Sequence, residues 1–194
     1  MVLPVSQLVA LSGKQYAGKD QLADWLVGTV PSCLGVAVQK TPIAGAIKQL
    51  YAEKNHLSLK EVEAHKAQHR SGLIELGNWG RQQSPDYWLE RVLDEAQQFD
   101  GITIISDMRL PREYDRLKAA GALLVRVEAA RGIRQARAES LGGSLTNESD
   151  ATECALDAIQ HWDALLTNNG SIHDLAVAAD AMLLPLLQAR FSLQ

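Results

Sequence analysis

Short apolar runs alternate along this chain with longer stretches in which apolar and polar residues are mixed. Five of the runs have the length of a strand, and they span residues 8–11, 34–38, 103–106, 123–127 and 164–167. Because these runs do not alternate between apolar and polar residues, they are typical of strands buried on both faces, as in parallel sheets. Strands that alternate with helical stretches predict a three-layer α/β fold around a five-stranded parallel sheet.

Several helical stretches begin at recognisable start signals. Residues 58–61 have the spacing of a capping box, and Pro85 and Pro111 are placed to open helices. The last stretch, residues 172–193, is amphipathic, and Pro185 is expected to kink it.

Two stretches interrupt the alternation of strands and helices. Residues 42–99 contain no convincing strand, so they are predicted to form a helical insertion above the sheet that receives a substrate. Residues 131–153 combine an arginine-rich helix with the polar loop 141–147, and they predict a lid. The length of 194 residues favours a single domain that includes both stretches.

Composition narrows the class of protein. Apolar residues make up 46% of the chain, which can fill a sizeable core. No run approaches the roughly 18 uninterrupted apolar residues of a membrane helix. Residues 1–6 lack the basic start of a signal peptide, and Cys33 and Cys154 are too isolated for a disulfide framework or a zinc site. We therefore expect a cytoplasmic protein with no membrane partner.

The charge distribution points to a small anionic ligand. A net charge of −4 argues against binding to a nucleic acid polymer. Positive charge nevertheless clusters in the second half of the chain, at Arg109, Arg112, Arg116, Arg126, Arg131, Arg134 and Arg137. A mildly acidic chain with clustered arginines favours a small polyanion over a polymer.

Residues 13–20 are typical of a phosphate-binding loop. They lie between the first strand and a helical stretch, and they depart from the pattern G-x-x-x-x-G-K-[ST] only at the last position. Small residues in such a loop allow backbone N–H groups to converge on phosphate oxygens at a helix N-terminus, and the lysine adds a positive charge. The predicted contacts are Gly13, Lys14, Ala17, Gly18, Lys19, Asp20 and Gln21. The alternative is a glycine turn without a ligand.

Asp20 stands where most such loops carry a hydroxyl that binds Mg²⁺. A carboxylate is also a hard oxygen donor, so Asp20 is predicted to hold Mg²⁺ directly or through water. Lys14 and Lys19 can offset its negative charge.

A second candidate group follows the third strand. Asp107 comes directly after this strand, at the edge of the sheet where the carboxyl ends of parallel strands meet and ligands bind. It is predicted to orient a metal ion's water shell or the nucleophile, and Arg109 is predicted to point toward a phosphate. The alternative is a helix-capping aspartate and a surface arginine.

Arginines of the predicted lid form a third group. Arg131, Arg134 and Arg137 have helical spacing and fall on one side of a helix. The alternative is a solvated basic face. Because a glycine-rich loop follows, Arg134 and Arg137 are predicted to close on a transferring phosphoryl group, whose charge they would stabilise.

Basic and aromatic side chains lie together in the predicted insertion. The basic residues Lys48, Lys66, Arg70 and Arg81 are predicted to hold an acceptor phosphate. Among the neighbouring aromatic residues, Trp88 is predicted to stack on a planar ligand, and packing against the sheet is the alternative. His65 and His69 are four residues apart but have no third metal ligand nearby in the sequence, so they predict no metal site.

At several points the sequence resembles one group within the P-loop kinases. This group contains the deoxynucleoside monophosphate kinases of phages and bacteria and the animal-type phosphomevalonate kinases. The resemblance is carried by residues 13–20 with Asp at the last position, by Arg134 and Arg137, and by residues 42–48, 76–81, 85–88, 106–109, 150–157 and 168–170. Residues 86–88 and 107–113 are similar to the nucleotide kinases, whereas 65–70 and 149–157 are similar to the phosphomevalonate kinases.

The resemblance implies a P-loop kinase that uses ATP and Mg²⁺ to phosphorylate a small acceptor that already bears a phosphate. It implies that Lys14, Lys19 and Asp20 bind the ATP phosphates and magnesium. It implies that the acceptor phosphate is bound by Lys48, Arg70, Arg81 and Arg109, and that Arg134 and Arg137 close from the lid. The expected acceptor is a (deoxy)nucleoside monophosphate, and phosphomevalonate is the alternative.

Two other classes of protein stay open. A switch GTPase would need an Asn/Thr-Lys-x-Asp motif, and residues 167–170 lack its Lys and Asp. A nucleotide sensor without catalytic activity would keep the phosphate loop but bind no acceptor.

Overall fold

The structure is a computed structural model that describes residues 7–146 and 148–191. The predicted absence of a signal peptide concerns residues 1–6, which lie outside the described residues, as do Asn147 of the predicted lid loop and the last two positions of the predicted C-terminal helix. The strands are β1 (Gln7–Ser12), β2 (Val38–Lys40), β3 (Ile102–Ile105), β4 (Leu123–Glu128) and β5 (Ala164–Thr167). They form a five-stranded sheet in the order β2-β3-β1-β4-β5.

Helices cover both faces of the sheet. They are α1 (Lys19–Leu34), α2 (Ile43–Lys54), α3 (Leu59–Ala64), α4 (Lys66–Gln83), α5 (Tyr87–Gln97), α6 (Pro111–Ala119), α7 (Arg131–Ser140), α8 (Ala151–Cys154) and α9 (Ile172–Phe191). Every neighbouring pair of strands is parallel. The predicted three-layer α/β architecture is therefore confirmed.

Alternate residues of the central strand enter two separate cores. Val9 and Leu11 pack with α1 and α9, whereas Leu8 and Ala10 pack with α5 and α6 on the other face. All four of these residues are buried, which explains why β1 is a continuous apolar run in the sequence.

One predicted strand was misplaced. Residues 34–38 were predicted as a strand, but Leu34 is the last residue of α1 and packs in the core. Gly35 ends this helix in the left-handed conformation, with φ 65°, and its N–H donates to the carbonyl of Pro31. The apolar run therefore contains the end of a helix, and β2 begins only at Val38, on the edge of the sheet.

Helices α2 to α5 lie between β2 and β3, within the stretch predicted to be helical. The predicted capping box opens α3, because the Ser58 hydroxyl accepts from the Glu61 N–H at 3.2 Å and the Glu61 carboxylate accepts from the Ser58 N–H at 2.7 Å. Pro111 opens α6 as predicted. Helix α5 begins at Tyr87, two residues after the predicted Pro85 start.

Helix α9 is the one helix in the described part of the chain that is long and apolar enough to cross a membrane, judged by length and composition alone. Four of its residues are buried in the core of this structure, and they are Leu175, Ala179, Leu183 and Leu187. The helix packs along α1 and beside β5. Pro185 lies inside the helix.

Candidate active site

At two positions, the loop between β1 and α1 has a backbone conformation that favours glycine. Gly13 has φ 148° and Gly18 has φ 108°. A Cβ atom on Gly13 would overlap the carbonyl oxygen of Val127 at the end of β4, and one on Gly18 would overlap the side-chain amide of Asn168 after β5. Gly18 also precedes α1 without a side-chain cap, so the first N–H groups of the helix have no side-chain partner there.

Lys19 folds back over this loop. Its ammonium donates to the carbonyl of Gly13 at 2.7 Å and to that of Lys14 at 3.1 Å, and the residue is only 8% exposed. Burial lowers the pKa of Lys19 to about 8, and repulsion by the Arg109 guanidinium contributes to the shift. Three neighbouring carboxylates oppose this decrease, and they belong to Glu153, Asp20 and Asp107.

The loop has the donors that a triphosphate needs. The start of α1 has no side-chain cap, and the ammonium of Lys19 lies against the loop that precedes this helix, so phosphate oxygens can replace the two carbonyls that now accept from the ammonium. The carboxylate of Asp20 is largely exposed and lies 3.4 Å from the ammonium of Lys40. An exposed carboxylate beside a phosphate loop suits Mg²⁺, which takes one or two carboxylates plus phosphate oxygens. Among the described residues, no group of three or more His, Cys, Asp or Glu side chains could hold a metal alone.

Asp107 lies at the predicted edge of the sheet, and both of its carboxylate oxygens are engaged. They accept from the N–H groups of Ile43 at 2.7 Å and Ala44 at 2.9 Å, at the start of α2. Burial raises the pKa of this carboxyl. These contacts match the alternative that Asp107 caps a helix, and the helix that it caps is α2. Asp107 anchors the insertion beside the loop, and its contact with a metal ion stays a prediction.

Arg109 also points into the site, where it forms an ion pair with Glu153. The second carboxylate oxygen of Glu153 accepts from the backbone N–H of Gln15 in the phosphate loop at 2.9 Å. The backbone N–H of Arg109 is held by Glu113 at 2.7 Å. Arg109 is therefore fixed next to the loop, and its contact with a phosphate stays a prediction.

The two predicted lid arginines both reach the loop. Arg134 is buried and donates to the carbonyl of Gln15 at 3.4 Å. Arg137 donates to the carbonyl of Tyr16 at 3.4 Å and to that of Gly170 at 2.8 Å.

Arg131 behaves differently from the other two lid arginines. Its side chain is 69% exposed and pairs with one oxygen of Glu148, whereas Arg134 is buried and pairs with the other oxygen at 2.8 Å. Among the three arginines, the alternative of a solvated basic face therefore fits only Arg131.

The predicted acceptor residues of the insertion do not gather at the loop. Lys48 pairs with Glu63, and Lys66, Arg70 and Arg81 are exposed on α4. Among the described residues, none of these four forms a hydrogen bond or ion pair with residues 13–20.

The prediction that Trp88 stacks on a ligand was wrong. Its indole is 3% exposed, donates to the carbonyl of Gly77 at 3.0 Å and lies against Gly80. The ring therefore packs α5 onto α4, and the indole N–H is already satisfied.

A family model described as Phosphomevalonate kinase matches residues 11–121, which is more than half of the chain. The chain belongs to the phosphomevalonate kinase family. Membership implies that the protein is a kinase that uses ATP and that its acceptor is a small molecule bearing a phosphate. The match includes the phosphate loop, the whole insertion and Arg109, and it ends before the lid.

Three residues of this phosphomevalonate kinase family site were missed as individual candidates. Glu153 joins the loop to Arg109, and Asn168, which is buried, donates to the carbonyl of Ala17 at 2.8 Å. Asp157 pairs with Lys14 at 2.6 Å and with Arg126 at 2.6 Å. Their only signal in the sequence was their presence in the two stretches 150–157 and 168–170 that carry the resemblance.

Two cavities flank the phosphate loop of this family member. The first has a volume of about 430 Å³ and is lined by Lys14, Arg126 and Arg134 together with Asp157. The second has a volume of about 320 Å³ and is lined by Tyr16, Arg137, Leu141, Asn168 and Ile172. The first cavity is rich in charge, whereas the second combines an arginine with apolar side chains.

We expect ATP to bind more weakly above about pH 8, because the pKa of Lys19 is lowered to about 8. The ammonium is mostly protonated below this pH and mostly neutral above it, and bound phosphates favour the protonated form. Binding should therefore take up about one proton at about pH 9 and far less at about pH 7. Calorimetry in two buffers with different ionisation enthalpies measures this uptake. Equal uptake by wild type and Lys19→Met at alkaline pH would contradict the assignment to Lys19.

Proposed function

We propose that this protein transfers the γ-phosphate of ATP to the phosphate group of phosphomevalonate. The family match supports this acceptor, since it covers the insertion and Arg109 as well as the phosphate loop. The observation that carries the proposal is the presence of two cations at the loop: Lys19 donates to the carbonyls of Gly13 and Lys14, and Arg109 is joined to the N–H of Gln15 through Glu153. Burial is the main cause of the lowered pKa of Lys19, and repulsion by Arg109 adds to it. Two phosphates bound side by side would relieve this repulsion, one as donor and one as acceptor.

The transfer needs no covalent intermediate on the protein. An oxygen of the acceptor phosphate is already an anionic nucleophile, so it attacks the γ-phosphorus while the bond to the β–γ bridging oxygen breaks and ADP leaves. Lys19 and Arg109 position the two phosphates in line, and Arg134 and Arg137 stabilise the charge of the transferring group. Asp20 would hold the Mg²⁺ that the family implies, and the bound ion would add further charge neutralisation.

The second cavity is the proposed place of the adenine ring. Leu141 and Ile172 line it and are 73% and 72% exposed, so a planar base would cover apolar surface that now faces water. The cavity adjoins Tyr16 of the phosphate loop, which allows one nucleotide to occupy both.

A deoxynucleoside monophosphate is the second candidate acceptor. Phosphomevalonate kinases typically have a second arginine directly after the first, and this chain has Leu110 at that position. The string that follows β3, residues 107–113, is similar to the nucleotide kinases. We also propose the cytoplasm as the place of action, on the basis of the composition.

A coupled assay of ADP release tests both acceptors. We expect phosphomevalonate to stimulate release about 100-fold over the rate without acceptor, because an anionic oxygen positioned by the site competes strongly with water. The panel also contains dAMP, dCMP, dGMP and dTMP. Selective stimulation by one of these nucleotides would transfer the assignment to the second candidate, and no stimulation by any acceptor would favour a nucleotide sensor.

Arg109→Gln is expected to raise the KM for the acceptor about 10- to 100-fold with a smaller effect on the KM for ATP, because a charged hydrogen bond to phosphate is lost. Arg91→Gln is the matched control, since Arg91 is an exposed arginine on α5 away from the loop. Equal KM values in the two variants would remove Arg109 from the acceptor site. A melting curve of each variant checks that the fold is retained.

A further inference from the structure

Glu153 is a buried carboxylate at the centre of the site, and the transfer described above does not use it. The residue is 8% exposed and belongs to α8, which follows the lid loop. One of its oxygens accepts from the backbone N–H of Gln15 at 2.9 Å, and the other pairs with the guanidinium of Arg109. Glu153 thus connects the donor side of the site to its acceptor side.

Both partners of Glu153 are groups that bind phosphate. A backbone N–H of the phosphate loop binds phosphate oxygens of the donor, and an arginine at the acceptor side binds the second phosphate. The Glu153 carboxylate accepts from both of these donors. It therefore places a negative charge and acceptor oxygens where an anionic ligand would place them. Glu153 and a fully seated pair of phosphates therefore compete for the same two partners.

We propose that Glu153 is a positioning residue that holds Gln15 and Arg109 until the phosphate of the acceptor displaces it. This proposal rests on the function proposed above. The acceptor phosphate binds Arg109, the carboxylate leaves, and the N–H of Gln15 becomes available to the γ-phosphate. ATP is then fully seated only when an acceptor is present, which disfavours transfer to water.

A phosphate can displace the Glu153 carboxylate from Arg109 because it carries more negative charge. A phosphate monoester carries up to two negative charges and three terminal oxygens, whereas the carboxylate carries one charge, and arginine binds either group in a bidentate manner. Helix α8 is only four residues long, so a small shift of its backbone is enough to release the Glu153 carboxylate from both partners. Once the displaced carboxylate is exposed to water, hydrogen bonds with water replace those that it made to Gln15 and Arg109.

If Glu153 had only a structural role, substitution of Glu153 would have the opposite effect on nucleotide binding. If Glu153 only stabilised the loop, its removal would weaken nucleotide binding and slow every reaction. If it competes with phosphate, its removal strengthens nucleotide binding and raises the hydrolysis of ATP in the absence of acceptor. The direction of the change therefore distinguishes the two roles.

Two measurements on the full chain test the proposal without an acceptor. They are the Kd of the non-hydrolysable analogue AMP-PNP with Mg²⁺, by calorimetry, and the rate of ADP release from ATP. For Glu153→Gln we expect about tenfold tighter binding and about tenfold faster release, since a charged competitor is lost. Glu139→Gln is the matched control because it removes one exposed carboxylate from α7, outside the site, and neither value should change.

Glu153→Gln keeps the shape of the side chain and an oxygen that can accept from Gln15, so we expect this variant to fold. Glu153→Ala removes both contacts and should show a larger increase in the same direction. Unchanged or weaker binding of AMP-PNP by folded Glu153→Gln, with no faster release, would overturn the proposal and assign Glu153 only a structural role. Failure of the wild type to bind AMP-PNP would instead overturn the proposed kinase function, so the two failures are distinguishable.

Discussion

Lys19→Met is expected to lower the turnover number about 10³-fold and leave the protein folded. The ammonium that contacts two loop carbonyls would no longer stabilise the charge that develops on the transferring phosphoryl group. Methionine retains most of the volume of the lysine stem, so the buried space stays filled. Steady-state kinetics measure the effect, and circular dichroism checks the fold.

Lys14→Met is the comparison for this variant within the same loop. The ammonium of Lys14 pairs with Asp157 at 2.6 Å, so it is already neutralised by a protein carboxylate. We expect its loss to reduce turnover by about tenfold or less, as for one partly exposed charged contact. A Lys19→Met variant with the rate of the wild type would exclude the phosphate loop from catalysis.

Gly13→Ala is expected to lower the free energy of unfolding by about 3 kcal/mol and to abolish nucleotide binding. A methyl group at this position meets the carbonyl oxygen of Val127, which belongs to the backbone of β4 and cannot rotate away. The φ of 148° adds strain for any residue other than glycine. Urea denaturation measures the loss of stability, and calorimetry measures the binding.

Gly28→Ala is the matched control for Gly13→Ala. Gly28 lies inside α1 with no atom near the position of a Cβ, so alanine there removes only the helix penalty of glycine. We expect a gain of about 0.5–1 kcal/mol and unchanged nucleotide binding. Equal destabilisation by the two substitutions would mean that the contact with Val127 is unimportant.

The sequence predicted the features that depend on local pattern. The phosphate loop was found because the buried strand β1 is followed by glycines and a lysine. Strands β3, β4 and β5 were found because each coincides with a short, largely apolar run. Strand β2 was misplaced because a buried helix end and a short edge strand lie next to each other in one apolar run. Periodicity alone does not separate these two cases.

The site was harder to predict because its contacts join distant parts of the chain. Arg109 was located because it follows a strand at the carboxyl edge of the sheet, whereas Arg134 and Arg137 were located from their helical spacing before a glycine-rich loop. Glu153 was not singled out, because its partners Gln15 and Arg109 are 138 and 44 positions away in sequence. A tryptophan that stacks on a ligand and one that packs two helices also look the same in sequence, as Trp88 shows.

Under the proposed function, the placement of the insertion would separate acceptor choice from phosphoryl transfer. Asp107 fixes the start of α2, whereas Lys19, Arg134 and Arg137 come from α1 and α7, outside the insertion. Residues of α3 and α4 can therefore diverge without disturbing the cations that promote the reaction. Evolution can thus retain one phosphorylating scaffold while exchanging one phosphate-bearing acceptor for another.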